Sequence, residues 1–207
     1  MKDEVFIRGK VPMTKAEVRA ASIDLLNLDD TSKKLLDVGA GTGSVGLQVA
    51  CNFPKIQVTA IERNPDAVDL IKQNQAKFGL ENVTVIEAYA PIELPEKETF
   101  DAIFIGGSGG NLTDIIDWSL AHLNPGGGLV LNFILLENAL TAMNHLEKLT
   151  VSELTMKQIQ VSSWHKLGAG HYFEPQNPTV IIGCKKLEEW RKWQKYISSE
   201  QDQEIKS

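Results

Sequence analysis

Apolar and polar positions alternate along this chain in two rhythms. Five short runs, at 34–38, 57–61, 83–86, 102–105 and 128–133, are apolar with little polar alternation, which predicts strands covered on both faces. Between them lie segments with helical spacing. Thr14-Lys15-Ala16-Glu17 has the form of a capping box ahead of Val18, Ala21, Leu25 and Leu28. Asn64-Pro65 reads as a cap followed by proline in the first turn, opening a helix with Val68 and Ile71 inward. Another helix opens at Asn111, carries Leu112, Ile116, Leu120 and Leu123 on one stripe, and stops at Asn124-Pro125-Gly126-Gly127. A last one runs from 136 to about 149.

Strands alternating with helices predict a parallel sheet with crossover helices. The rhythm breaks late, where 153–161 and 180–184 read as strands with no helix between them, joined by a Gly- and His-containing loop at 164–172. That predicts an antiparallel pair at one sheet edge. The expected fold class is therefore α/β: a doubly wound, mostly parallel seven-stranded sheet with an antiparallel last strand. The expected organisation is one domain over 1–207, with an N-terminal motif and helix at 1–33, a ligand-binding core at 34–186 and a helical tail at 187–207. In the tail, Trp190, Trp193 and Ile197 recur at helical spacing, as for a helix packed on its own domain or a sister subunit.

Composition narrows the classes. The 207 residues suit a single α/β domain. Hydrophobic residues at 43% and charged residues at 23% are ordinary for a globular protein. A net charge of −6 and a pI near 5.3 argue against a protein that grips nucleic acid, which draws affinity from phosphate neutralisation. Cys51 and Cys184 are far apart and read as small core hydrophobes; no metal-ligand spacing occurs. The charged N-terminus lacks the apolar core of a signal peptide. The run at 129–136 is broken by Asn132 and too short to span a bilayer, so a cytoplasmic protein with no membrane partner is expected.

The chemistry concentrates at Asp37-Val38-Gly39-Ala40-Gly41-Thr42-Gly43, a glycine-rich turn between a strand and a helix. Open α/β sheets bind ligands at such carboxyl ends. Glu62 ends the second strand about 20 residues later, where a carboxylate can accept ribose hydroxyls. Gly41-Thr42-Gly43-Ser44-Val45-Gly46 also fits G-x-G-x-x-G, so a nicotinamide-binding oxidoreductase is an alternative. Asp37 and Gly39 ahead of that match, the strand pair at the end and the absence of a second substrate domain speak against it. Together these features resemble class I S-adenosylmethionine-dependent methyltransferases, whose Rossmann-like fold carries a D-x-G-x-G-x-G motif.

A narrower resemblance rests on 9–19 (GKVPMTKAEVR), on Ile61-Glu62-Arg63-Asn64-Pro65, on Ala90-Pro91, and on 104–111 (FIGGSGGN). This set is similar to the cobalt-precorrin carbon-15 methyltransferase (decarboxylating) family of cobalamin biosynthesis, also called precorrin-8w decarboxylases. The resemblance implies methylation of carbon 15 of a precorrin, with or without cobalt, and loss of carbon dioxide from the acetate on carbon 12. It implies S-adenosyl-L-methionine at Thr14, Gly39, Ala40, Gly41, Thr42, Gly43, Glu62 and Ala90, and a tetrameric assembly. Lys15, Arg19, Gly107, Ser108 and Gly109 are candidate substrate contacts, with Arg8, Lys10 and Arg63 completing a cationic lip for a polycarboxylate.

Two departures stand out. Ala40 replaces a cysteine common in the family. Glu87-Ala88-Tyr89-Ala90 replaces the usual E-G-D-A, so adenine recognition falls to backbone groups around 88–90, with the Tyr89 ring either against the base or turned outward. His165 and His171 are loop residues, and no catalytic base is nominated. Alternatives are a methyltransferase acting on tRNA or protein, and a non-catalytic scaffold.

Overall fold

A computed structural model of the chain describes residues 1–95 and 97–187. The tail helix expected around Trp190, Trp193 and Ile197 lies outside the described residues.

After a single 3-10 turn at Asp3–Val5, the elements are α1 (Ala16–Leu25), β1 (Lys34–Val38), α2 (Ser44–Asn52), β2 (Gln57–Glu62), α3 (Pro65–Phe78), β3 (Val83–Glu87) and β4 (Phe100–Ile105). Then follow α4 (Leu112–His122), β5 (Leu123–Phe133), α5 (Leu136–Leu146), β6 (Val151–Ile159), β7 (Ser162–Leu167), β8 (Gly170–Pro175) and β9 (Thr179–Lys186). Seven strands form one sheet in the order β3-β2-β1-β4-β5-β9-β6. β3 to β5 are mutually parallel, and β9 runs antiparallel to both β5 and β6. The last strand among the described residues is thus the inverted one, as expected, but it is inserted between β5 and β6 rather than lying at the edge.

The missing polar alternation has a plain cause: alternate residues of one strand enter two different cores. Leu36, Ile103, Ile105, Leu129 and Leu131 pack with Ile116 and Leu120 of α4 and Ala142 of α5. Leu35, Ala102, Phe104 and Val130 pack on the other face with Val45 and Val49 of α2 and Ile71 of α3. Fully burying one such aliphatic side chain stabilises by about 1.5–3 kcal/mol, so both faces must be covered. Cys184 is buried in the first core, where burial pushes its thiol up to about 12; Cys51 is only half-buried.

Local punctuation is partly as expected. Asn64 caps α3, its Oδ1 accepting from Asp66 N at 3.0 Å, with Pro65 in the first turn. The capping box at Thr14 does not form: Lys15 is the N-cap residue, with no side-chain cap. Asn111 precedes α4 but also makes no cap, because its amide is turned to another loop. α4 ends at His122, earlier than the Pro-Gly stop, and the chain is extended from Leu123, which pairs with Phe100 before a register shift. Lys186 explains how that helix end is buried: its Nζ donates to the carbonyls of Leu120 and Leu123 at 2.6 and 2.7 Å. The loop expected at 164–172 is instead a two-stranded antiparallel hairpin of β7 and β8. Stacked Trp164 and His171, 4.0 Å between centroids, hold it through cross-strand pairing rather than burial. No helix among the described residues is long and apolar enough to cross a membrane.

Candidate active site

The turn after β1 is held between the ends of β2 and β4, the two strands that flank β1. Gly39 N and Ala40 N both donate to Ile61 O, at 2.9 and 3.1 Å, and Gly39 takes φ +63°. A Cβ on Gly39 would collide with the carbonyl oxygen of Gly107, so glycine is required for the β1 and β4 loops to touch.

Beneath this turn lies Asp37, fully buried. Its Oδ2 accepts from Gly46 N at 2.9 Å, while Oδ1 has no hydrogen-bond partner among the described residues. A Cβ on Gly46 would stand 2.8 Å from that Oδ2. Gly46, which completed the G-x-G-x-x-G match, therefore serves the approach of Asp37 to the start of α2. Burial pushes the Asp37 carboxyl up to about 7, with the Glu62 charge adding to the rise against the Gly46 hydrogen bond.

A raised folded pKa means that, between about pH 4 and about pH 7, the native state binds a proton the unfolded chain has released. The stability due to Asp37 is full below that window and falls as pH rises through it, by on the order of 4 kcal/mol. Asp37→Asn keeps an acceptor for Gly46 N–H and cannot ionise. Urea midpoints measured at about pH 5 and about pH 7.5 should therefore differ less in the variant than in the wild type. Parallel shifts in the two proteins would count against an ionising Asp37.

Glu62 closes β2, about nine-tenths buried. Its Oε2 accepts from Gly41 N at 2.8 Å, and Oε1 accepts from Arg63 N and Asn64 N, both at 2.8 Å. Three backbone donors fix the carboxylate and tie it to the glycine turn. Of its roughly four acceptor positions, one on Oε2 remains open.

These groups bound a cleft of about 900 Å³ over the carboxyl ends of β1, β2 and β4. Thr14, Lys15, Gly39, Ala40, Gly41, Glu62 and Ala90 all line it, as do Gly107, Ser108 and Gly109. Thr42 and Gly43 do not: Thr42 is buried, its hydroxyl without a hydrogen-bond partner among the described residues. Arg19 does not line it either, which corrects its expected role as a substrate contact. Its buried guanidinium donates from Nε to Gln48 Oε1 at 2.6 Å, from Nη1 to Thr14 O at 2.6 Å and Asp3 Oδ1 at 3.1 Å, and from Nη2 to Met1 O at 2.8 Å. Arg19 is a clamp for the N-terminal segment.

Other cleft residues escaped the sequence reading: Asn132, Phe133, Asn138, Pro175 and Asn177. One signal was visible. Asn132 interrupts an otherwise apolar strand, and a polar residue there needs a partner; it pairs with Ser22 Oγ at 2.9 Å at the cleft wall. Nothing local marks 175–177, which lead from the end of β8, in its separate hairpin, to β9 of the main sheet.

A doubly wound sheet with one inverted strand, a glycine turn after β1 and an acid after β2 defines the Rossmann-like methyltransferases. Residues 4–186 match the family model described as the precorrin methyltransferase domain, and the chain belongs to that family. It is 50% identical over 189 residues, 91% of this chain and 97% of the relative, to the Salmonella typhimurium cobalt-precorrin-6B C(15)-methyltransferase (decarboxylating). Among solved structures it is similar to the precorrin-6y C5,15-methyltransferase of Geobacter metallireducens, with a TM-score of 0.83 and 35% identity over 90% of this chain and 96% of that one. It is also similar to the precorrin-8w decarboxylase of Methanobacterium thermoautotrophicum, with a TM-score of 0.81 and 33% identity, covering 88% and 98% of the two chains. The oxidoreductase alternative is thereby set aside.

Proposed function

We propose that this chain binds S-adenosyl-L-methionine in the cleft between Gly39 and Glu62 and methylates carbon 15 of a precorrin, with loss of carbon dioxide. The observation that carries the cofactor part is Gly107. Its φ is not in the left-handed region, and a Cβ there would meet nothing nearer than Gly39 O at 3.8 Å. Neither backbone nor packing demands glycine, yet the residue lines the cleft, as expected where a ligand needs the space. The cleft volume also falls within the range of small-molecule sites.

Bound there, the cofactor supplies an activated sulfonium methyl. The chain's residues hold and orient. The open acceptor position of Glu62 would take one ribose hydroxyl, and a second would have to displace Gly41 N–H. Lys15, near Asp3 (4.0 Å), offers a cation to a substrate carboxylate, and Asn132 and Asn138 add polar groups to the cleft wall. Orientation alone can contribute about 7–11 kcal/mol to the barrier. Charge balance needs no redox partner. Methyl transfer to the precorrin carbon would release S-adenosylhomocysteine, and the electron pair left by departing carbon dioxide would neutralise the positive charge that the methyl brings.

Gly107→Ala tests this reading. The added methyl should leave the melting temperature unchanged but weaken S-adenosylhomocysteine binding about tenfold or more by overpacking the site. Titration calorimetry showing unaltered affinity would place the nucleoside elsewhere.

A further inference from the structure

The turn after β3 and the loop after β4 belong to strands that β2 and β1 separate. At about 4.8 Å per strand spacing those ends are roughly 14 Å apart, yet side chains join them. Tyr89 Oη donates to Gly109 O at 3.0 Å and lies 3.4 Å from Asn111 Oδ1. Asn111 Nδ2 donates back across the gap to Ala90 O at 2.9 Å. The Arg63 guanidinium lies over the Tyr89 ring, 5.2 Å from its centroid. Gly109 is pressed against both, since a Cβ there would stand 2.8 Å from Arg63 Nη1 and 3.2 Å from Tyr89 Cε2.

A bridge between the outer strand ends spans the ends of the inner two, where Gly39 and Glu62 stand. Arg63, Tyr89, Ala90 and Gly109 all line the cleft. We propose that Tyr89 is a positioning residue: with Arg63 against its ring, it clasps the loop 106–111 over the nucleoside end of the cleft and sets how long a bound nucleoside stays. The ligand in this proposal rests on the cofactor reading above; the clasp itself rests on the contacts just described. Tyr89 is about half exposed, so it contributes little to the core. Its hydroxyl is matched to a backbone acceptor on a glycine that any side chain would push away.

Two measurements on the full chain test the clasp. In the ligand-free protein, Tyr89→Phe should speed amide hydrogen exchange across 107–112 about fivefold, the ratio expected for one neutral hydrogen bond, at unchanged melting temperature. Stopped-flow dissociation of S-adenosylhomocysteine should quicken by a similar factor. Tyr89→Leu, which also removes the face under Arg63, should quicken it about tenfold or more, so that phenylalanine restores part of what leucine loses. Exchange and dissociation at wild-type rates in both variants would overturn the clasp. If the wild type binds no S-adenosylhomocysteine while the loop still loosens in Tyr89→Phe, the clasp stands and the cofactor reading falls.

Discussion

Arg19→Ala is expected to destabilise the fold by about 3–5 kcal/mol, the usual cost of removing one partner from a buried charged network. The residue is fully buried, with four acceptors and the Phe6 ring, 5.0 Å from its guanidinium, arranged around it. Burial pulls the guanidinium below its ordinary pKa, opposed by the hydrogen bond and charge of Asp3. Truncation takes the Arg19 donor from the carbonyls of Met1 and Thr14 and strips one partner each from Asp3 and Gln48, which keep Lys15 and the Met1 ammonium. Arg19→Lys should recover little, because a point charge cannot replace a planar fork serving four acceptors. Since Val11 to Thr14 line the cleft, loosening the segment should weaken ligand binding as a secondary effect. Urea denaturation of the variants checks the magnitude. A loss below about 1 kcal/mol accompanied by slowed turnover would return Arg19 to the substrate.

Glu62→Ala should weaken S-adenosylhomocysteine binding by roughly one to two orders of magnitude. A hydrogen bond to a charged group is worth about 1.5–3 kcal/mol, and that alone accounts for the range. A further part comes from the turn, because Gly41, Arg63 and Asn64 would lose the acceptor of their N–H groups. Glu62→Gln should fall between, since an amide offers one carbonyl oxygen where the carboxylate uses two. Calorimetry with the wild type and both variants measures the series, with NAD as the control ligand expected not to bind. Equal affinities across the three proteins would remove Glu62 from the site.

The parts of this structure that were legible in the sequence are those governed by burial. Strands such as β4 and β5 are apolar along 102–105 and 128–131 because each face meets its own helical layer, and that cause leaves its mark locally. The β7–β8 hairpin leaves no such mark. Trp164, Leu167 and Phe173 are exposed, and the pairing arises between side chains that meet only once the chain has turned.

Site residues divide in the same way. Gly39 and Glu62 stand at strand ends, where chain order fixes their place. Thr42 belongs to the same motif but is buried and does not line the cleft, because motif membership says nothing about side-chain direction. The burial of Arg19 leaves no mark in the sequence: a cation on an amphipathic helix is usually solvated, and only the folded N-terminal segment supplies the acceptors that bury this one. Tyr89 could not be placed from sequence, because its partner Gly109 lies across two intervening strands.

The mass of a precorrin after incubation with the protein and S-adenosylmethionine decides whether this chain is a decarboxylating methyltransferase. The expected product has gained one methyl group and lost one carbon dioxide, with S-adenosylhomocysteine formed in step. An unaltered precorrin, with methylation of tRNA or protein under the same conditions, would contradict it.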